Sequence, residues 1–226
     1  MRRLYWDSSF FKIEVGEIEN NDDLKNDIYS DFDLIYVKKN AEILLPGFKL
    51  NYEENKVVFE KQILTIKEAC NSVIPFSKVK YDVEELYNLA YESGKYSRFL
   101  KDNLFGESNF KRLYKEWVDN SITKQFADDI LLYFIEDKIV GFVTYKKQST
   151  YGQIGLIAVN PNFQGKGIGR QLINEVENTL YKKGINTLRI PTQLENKEAC
   201  FFYKKIGYKI IESTPIKHYW KIDDTI

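Results

Sequence analysis

Three glycines stand at alternate positions in the stretch VNPNFQGKGIGRQL, between an apolar strand-like run and an amphipathic helix pattern. They are Gly165, Gly167 and Gly169, and Lys166 and Arg170 lie beside them. The first amides of a helix have no acceptor within the helix and the helix dipole is positive there, so this junction predicts a phosphate site. Glycine lets the backbone approach a ligand oxygen and reaches positive φ at little steric cost. The alternative is a glycine-rich turn that only joins a strand to a helix.

The spacing of these glycines differs from that of two common phosphate loops. No Ser or Thr follows the Gly-Lys pair as a P-loop requires, and G-x-G-x-G is not the G-x-G-x-x-G of dinucleotide folds. The stretch resembles instead the pyrophosphate loop of the Gcn5-related acetyltransferase (GNAT) superfamily. That pattern is Gln or Arg, two residues, Gly, one residue, then Gly or Ala, and Gln164, Gly167 and Gly169 match it.

The resemblance implies acetyl-coenzyme A as the acetyl donor and no metal. The loop amides would hold the pyrophosphate, and the preceding strand IGLIAV would hydrogen-bond the pantetheine arm. The donor-binding residues implied in this way are Ile157, Ala158, Val159, Gln164, Gly165, Lys166, Gly167, Ile168, Gly169, Arg170 and Asn196.

The resemblance continues through GINTLRIPTQLENKEACFFYKKIGYKII, which matches a strand, a loop with Asn, a helix ending in Tyr, and a Gly-Tyr pair. Asn196 begins this helix, and Tyr203 follows seven residues later. The resemblance implies that Tyr203 is the general acid beside the coenzyme sulfur. Its phenol, with a reference pKa of about 10, stays protonated at neutral pH. The alternative is one more core aromatic. Strand amides around Ile157 to Val159 would meet the oxyanion.

The general base is not identified from the sequence, because the strand YGQIGLIAV contains no carboxylate. His218, the only histidine, is a candidate since its unperturbed pKa lies near 6.5, and a structural role is the alternative. Cys200 precedes Tyr203 by one helical turn but has no evident paired histidine. Direct transfer without a covalent enzyme intermediate is therefore expected.

Several segments resemble more closely the TDP-fucosamine acetyltransferase family, which N-acetylates a thymidine-diphosphate-linked 4-amino-4,6-dideoxy sugar. They are YWDSSFFKIEV, LAYESGKYSRF, FKRLYKEWVDNSI, RIPTQLENKEACFFY and IESTPIKHYW, and Lys12 stands where that family has glycine. The resemblance implies acetylation of the sugar 4-amino group, for cell-surface polysaccharide biosynthesis. Two alternatives remain: a protein or peptide N-terminal acetyltransferase, and a non-catalytic acyl-coenzyme A sensing module.

Candidate acceptor-binding residues lie in the segment KYSRF. Arg98 could pair with the diphosphate in the fork geometry that arginine favours, and a solvated surface arginine is the alternative. Tyr96 and Phe99, with Trp117, could form apolar walls for the sugar methyl or the base, although aromatic residues on helices usually serve the core.

The predicted strands and helices indicate an α/β protein, and the resemblance implies the GNAT fold, a mixed central sheet flanked by helices. A boundary at Pro75 predicts a small N-terminal α/β domain, 1–75, and an acetyltransferase domain, 76–226. Asp82 is predicted to cap one helix and Ser108 a second, and a hairpin is predicted at Glu136 and Asp137.

The amino-acid composition limits the classes of partner that the chain is expected to bind. The 226 residues carry 33 basic and 33 acidic side chains, so net charge favours neither nucleic acid nor an anionic membrane as partner. The two cysteines, Cys70 and Cys200, lack metal-ligand spacing. No apolar run approaches the roughly 18 residues of a membrane span, and no signal peptide is evident. We therefore expect a cytoplasmic protein, and a homodimer is left open.

Overall fold

The computed structural model describes residues 1–19, 29–40 and 43–222. Within these residues the strands are β1 Arg2–Arg3, β2 Val15–Ile18, β3 Leu34–Val37, β4 Phe48–Gln62, β5 Val73–Pro75, β6 Asp129–Ile135, β7 Lys138–Lys147, β8 Gly152–Val159, β9 Thr187–Gln193 and β10 Lys209–Lys221. The helices are α1 Tyr5–Phe11, α2 Val83–Ser93, α3 Arg98–Lys101, α4 Gly106–Ile122, α5 Ile168–Lys182 and α6 Lys197–Lys205.

All of these strands form one sheet, in the order β1-β2-β3-β10-β4-β9-β8-β7-β6-β5. The pairs β2–β3 and β8–β9 are parallel and the others antiparallel, which confirms the predicted mixed sheet. β10 lies between β3 and β4, so the predicted parts 1–75 and 76–226 share this sheet. Their division into two folding units stays a prediction.

Helices cover the two faces of the sheet. Neighbouring residues of a strand point to opposite faces, and Leu132 and Leu131 accordingly belong to different hydrophobic cores. The core around Leu132 contains side chains of α1, α2, α3 and α4, here called the first layer. The core around Leu131 contains side chains of α5 and α6, the second layer.

The parallel strands β8 and β9 separate soon after they begin. Their pairing is limited to Gly152 with Leu188 and Gln153 with Arg189, so beyond these residues β8 has no described strand on that edge. A β-bulge interrupts the other edge of β8, where the register with β7 shifts. The two strands therefore diverge and leave an opening in the sheet.

The local sequence signals for Asp82 and for the hairpin were correct, and the signal for Ser108 was not. Asp82 caps α2 by accepting from the Glu84 amide at 2.9 Å, and β6 and β7 form the predicted hairpin. The predicted Ser108 cap is wrong: α4 begins at Gly106, whose φ of +74° turns the chain before the helix. None of the described helices is long and apolar enough to cross a membrane. The described residues also contain no group of three or more His, Cys, Asp or Glu side chains that could hold a metal.

Candidate active site

A cavity of about 1050 Å³ lies where β8 and β9 diverge. Its wall extends from the glycine loop after β8, past β9 and α6, to α1 and α3 in the first layer. Ligand pockets usually measure about 300–1,000 Å³, so this cavity has room for a large ligand or for two ligands side by side.

The glycine loop presents backbone amides to this cavity. Gly165 and Gly167 have φ values of +78° and +82°, which only glycine adopts without strain. Gly167 is the N-cap of α5, and the amide of Gln171 makes the first helical hydrogen bond, to the Gly167 carbonyl at 3.1 Å. The three amides before Gln171 consequently have no acceptor within the helix, as an anion site requires.

Gln164 and Gly169 fix the loop against its neighbours. The Gln164 side-chain amide donates to the Val159 carbonyl at 3.0 Å and ties the loop to the end of β8. A Cβ at Gly169 would lie 3.3 Å from the Phe202 ring, so glycine permits close packing of α5 on α6. The Ile168 side chain is buried beneath the loop at the start of α5. The glycines thus serve two purposes, backbone conformation and helix packing.

The other predicted donor-binding residues divide into two groups. Ile157, Ala158 and Val159 line the cavity along the edge of β8 that β9 leaves, and Asn196 lines it at the start of α6. Asn196 also accepts from the Ala199 amide at 3.1 Å and caps that helix, as predicted.

The two basic residues of the loop differ in position. Arg170 lines the cavity, whereas Lys166 is outside its wall. The Lys166 ammonium lies 4.9 Å from the ring centre of Phe163. Of these two residues, only Arg170 is therefore placed to add positive charge near an anion in the cavity.

Tyr203 lines the cavity from α6. Its ring is 5% exposed and packs on Phe59 and Phe202, each at 5.4 Å between ring centres. Burial raises the pKa of Tyr203 well above its usual 10. The hydroxyl has no hydrogen-bond partner among the described residues, so a protonated phenol is available to a ligand in the cavity.

Glu54, in β4, is a carboxylate on the cavity wall that the sequence analysis did not single out. It is 3% exposed, and its Oε2 accepts from the Tyr52 hydroxyl at 3.2 Å. Burial raises the pKa of Glu54 to about 7, and the Arg98 guanidinium acts in the opposite direction. Glu54 is therefore a carboxylate that can change protonation state near neutral pH.

Arg98, at the start of α3, is not the solvated surface arginine of the alternative interpretation. It lines the cavity, and its guanidinium carbon lies 4.2 Å from the ring centre of Tyr36 and 4.6 Å from that of Phe99. Its Nη1 is buried and has no hydrogen-bond partner within the described part of the chain. This nitrogen is a donor that a ligand oxygen could satisfy.

The two aromatic residues beside Arg98 have different positions. Phe99 is 7% exposed, belongs to the first-layer core and touches the cavity. Tyr96 is outside the cavity wall, and its ring lies beside the ammonium groups of Lys95 and Lys101 instead. A direct role of Tyr96 in a ligand pocket finds no support in this geometry.

His218 and Cys200 are unsuited to the roles considered for them. His218 is fully buried away from the cavity wall, and its Nδ1 lies 2.6 Å from Asp102. Burial lowers the pKa of His218 to about 4, against the effect of Asp102. Burial also raises the pKa of the Cys200 thiol, which disfavours the nucleophilic thiolate. A structural role fits both residues.

The family model described as "Acetyltransferase (GNAT) family" matches residues 82–208, which is more than half of the chain. The chain belongs to the GNAT family. The match includes the glycine loop and Tyr203, whereas Glu54 and α1 lie before it. Arg98, on the opposite wall of the cavity, also lies within the match.

This GNAT chain is 30% identical over 141 residues to dTDP-fucosamine acetyltransferase of Escherichia coli O6:H1, covering 62% of the chain and 58% of the relative. It is 26% identical over 140 residues to the spore coat polysaccharide biosynthesis protein SpsD of Bacillus subtilis, covering 62% and 48%. The match thus spans about half the length of these relatives. A solved GCN5-related N-acetyltransferase from Sphaerobacter thermophilus is similar in fold, with TM-score 0.53 and 16% identity over 85% of this chain and 61% of that one.

Proposed function

We propose that this GNAT chain transfers the acetyl group of acetyl-coenzyme A to the 4-amino group of a nucleotide-linked 4-amino-4,6-dideoxy sugar, with dTDP as the nucleotide. The observation that carries this proposal is the composition of the cavity of about 1050 Å³. It joins an amide-lined loop at one end to a proton donor, a proton acceptor and an arginine with an unsatisfied nitrogen at the other.

The donor half fits acetyl-coenzyme A. The amides before Gln171 would bind the pyrophosphate, with Arg170 adding positive charge. The free edge of β8 would hydrogen-bond the pantetheine arm in place of the missing strand, and Asn196 would contact it from α6. Bound there, the coenzyme supplies an activated acetyl thioester.

Glu54 and Tyr203 supply the two proton transfers of the reaction. An amine attacks a thioester only when it is neutral, and a base with a pKa near the working pH is the most effective. Glu54 takes this proton, directly or through one water molecule. Amides of β8 around Ile157 stabilise the negative charge that develops on the thioester oxygen. Tyr203 then protonates the departing thiolate.

Arg98 supports a diphosphate-linked acceptor. Its buried Nη1 lacks a partner, and an arginine fork matches the oxygens of a phosphate. Lys56 lines the cavity on the same strand as Glu54 and adds a second positive charge. The names of the two relatives, a sugar-nucleotide acetyltransferase and a polysaccharide biosynthesis protein, favour this acceptor class over a peptide.

The test is incubation of the purified protein with acetyl-coenzyme A and a panel of acceptors. The panel contains dTDP- and UDP-linked 4-amino-4,6-dideoxy sugars and peptide amines, and the readouts are acceptor mass and thiol release. We expect acetylation of a sugar nucleotide. Reaction of peptides alone would show that the acceptor is a peptide amine rather than a sugar nucleotide. Coenzyme binding without any transfer would favour an acyl-coenzyme A sensor.

A further inference from the structure

Trp6 lies on the cavity wall at the end of an aromatic stack. Its ring is nearly parallel to that of Phe10, with 5.1 Å between ring centres and an interplanar angle of 8°. Phe10 is held in turn by Arg112, whose guanidinium carbon lies 4.4 Å from the ring centre and whose Nη2 donates to the Phe10 carbonyl at 2.6 Å. Phe10 and Arg112 therefore support the Trp6 ring at the cavity wall.

Phe126 forms a second aromatic surface beside Trp6. The two ring centres are 6.5 Å apart with an angle of 59°, and both rings line the cavity. Trp6 is 43% exposed and Phe126 42% exposed, whereas the other aromatic side chains of the described residues, apart from Tyr5 and Phe201, are buried or half-buried. We call this pair, Trp6 and Phe126, the aromatic corner. It offers π-surface to a ligand in the cavity.

The aromatic corner shares its wall with Arg98. Helix α1, which carries Trp6, packs on α3 through Phe11 and Phe99, whose ring centres are 5.6 Å apart. Arg98 precedes Phe99, and Asp7 follows Trp6; both line the cavity, and their charges interact. A planar group and an anion on one ligand would thus meet an aromatic surface and a guanidinium on one wall.

We propose that the aromatic corner binds the nucleobase of the acceptor, by stacking on Trp6, while Arg98 binds the diphosphate. This inference rests on the proposed function and adds the site that recognises the nucleoside. Every base has a π-face, so stacking tolerates different bases. The corner therefore selects acceptors that carry a nucleoside over those that do not, and it separates thymidine from uridine only weakly.

The kinetic experiment compares two acceptors, the dTDP-linked amino sugar and the same amino sugar as its 1-phosphate. We expect Trp6→Leu to raise KM for the dTDP-linked sugar about tenfold. Neither kcat, nor KM for acetyl-coenzyme A, nor KM for the sugar 1-phosphate should change. Tyr5→Leu is the matched control, because Tyr5 lies on the same helix, is 77% exposed and is outside the cavity wall.

The outcomes separate this inference from the proposed function. An equal change in KM for both acceptors would indicate a structural role for Trp6. A raised KM for acetyl-coenzyme A would indicate that the adenine of the coenzyme binds at the corner. Either result overturns the inference. Calorimetry with dTDP alone tests the corner without turnover. Binding that Trp6→Leu weakens, without transfer to any sugar, would support the corner and reject the proposed reaction. No binding of dTDP at millimolar concentration would reject the corner.

Discussion

At the glycine loop a ligand would meet mainly backbone amides, whereas at the opposite end of the cavity it would meet side chains from α1, α3 and β4. The loop amides belong to consecutive residues of one turn, and their direction follows from the φ angles of Gly165 and Gly167. Glu54 and Arg98 come from separate elements that the sheet brings together. A backbone site can thus be preserved by a short motif, while a side-chain site can change its specificity one residue at a time.

The largest effect is expected from Glu54→Gln at the side-chain end. Removing the base should lower kcat about 10³-fold, because an amine is mainly protonated at neutral pH and must lose its proton before it attacks. It should also abolish the rise of kcat/KM with pH that ionisation of Glu54 at about 7 produces. Steady-state thiol release between pH 5.5 and 9 measures this. Glu53→Gln is the control, since Glu53 is the adjacent residue and is 54% exposed. A retained pH profile would exclude Glu54 as the base.

The same substitution should stabilise the protein at alkaline pH. Burial raises the folded-state pKa of Glu54 from 4.5 to about 7, so the folded state binds more protons between these values. The free energy of unfolding therefore falls as pH rises from about 4.5 to about 7. Glu54→Gln removes this loss, up to about 3 kcal/mol at pH 8 and little at pH 4. Urea denaturation at both pH values checks the difference, and an equal effect at the two would contradict it.

Tyr203→Phe should lower kcat about 10²-fold and leave acetyl-coenzyme A affinity unchanged. The effect is smaller than that of Glu54→Gln because a thiolate, with a thiol pKa near 8.5, leaves with less need of a proton. Tyr145→Phe is a suitable control, since Tyr145 is buried in the same core but is outside the cavity wall. Full activity of Tyr203→Phe would leave Tyr203 as a core aromatic only.

Arg98→Lys should raise KM for the nucleotide-linked acceptor about tenfold while KM for acetyl-coenzyme A stays constant, because lysine keeps the charge but loses the fork. Initial rates with each substrate varied in turn measure the two constants. Equal increases in both would show that Arg98 supports the whole cavity rather than the acceptor.

The smallest effect is expected at the backbone end. Gln164→Met removes the hydrogen bond to the Val159 carbonyl and should weaken acetyl-coenzyme A binding about fivefold, since the amides themselves remain. Isothermal titration calorimetry measures this, with the exposed Asn162→Ala in the same turn as control. A loss greater than a hundredfold would mean that the side chain, rather than the backbone, holds the anion.

The same contrast explains what the sequence could predict. The loop and the Asn196 cap follow from local spacing, because each depends on residues a few positions apart, and Tyr203 is identified by the family resemblance of the same segment. Glu54 could not be recognised in this way, since its burial depends on pairing of β4 with β10, where it lies opposite Ile216. Its neighbour Glu53 is exposed, because successive side chains of a strand point to opposite faces of the sheet.

Arg98 and Tyr96 illustrate the same limit two residues apart. Both belong to the segment KYSRF, but Arg98 faces Tyr36 from a distant strand while Tyr96 stays outside the cavity wall. Tyr96 lies in the turn before α3 and Arg98 at the start of that short helix, so the direction of each side chain depends on tertiary packing. The sequence held one weak indication of the burial of Glu54. Glu54 lies four residues before Val58 in β4, so the two side chains point to the same face of the sheet, and Val58 is also buried.

The position of β10 between β3 and β4 affects how the protein folds during synthesis. β4 ends at Gln62 and β10 begins at Lys209, so a ribosome that adds about 5–20 residues per second needs roughly 7 to 30 seconds to reach β10. Until then an edge of β4 is unpaired, a condition that invites aggregation. Lys49, Glu53 and Lys56 place charges along this strand. These charges oppose aggregation through the unpaired edge of β4 until β10 has been synthesised.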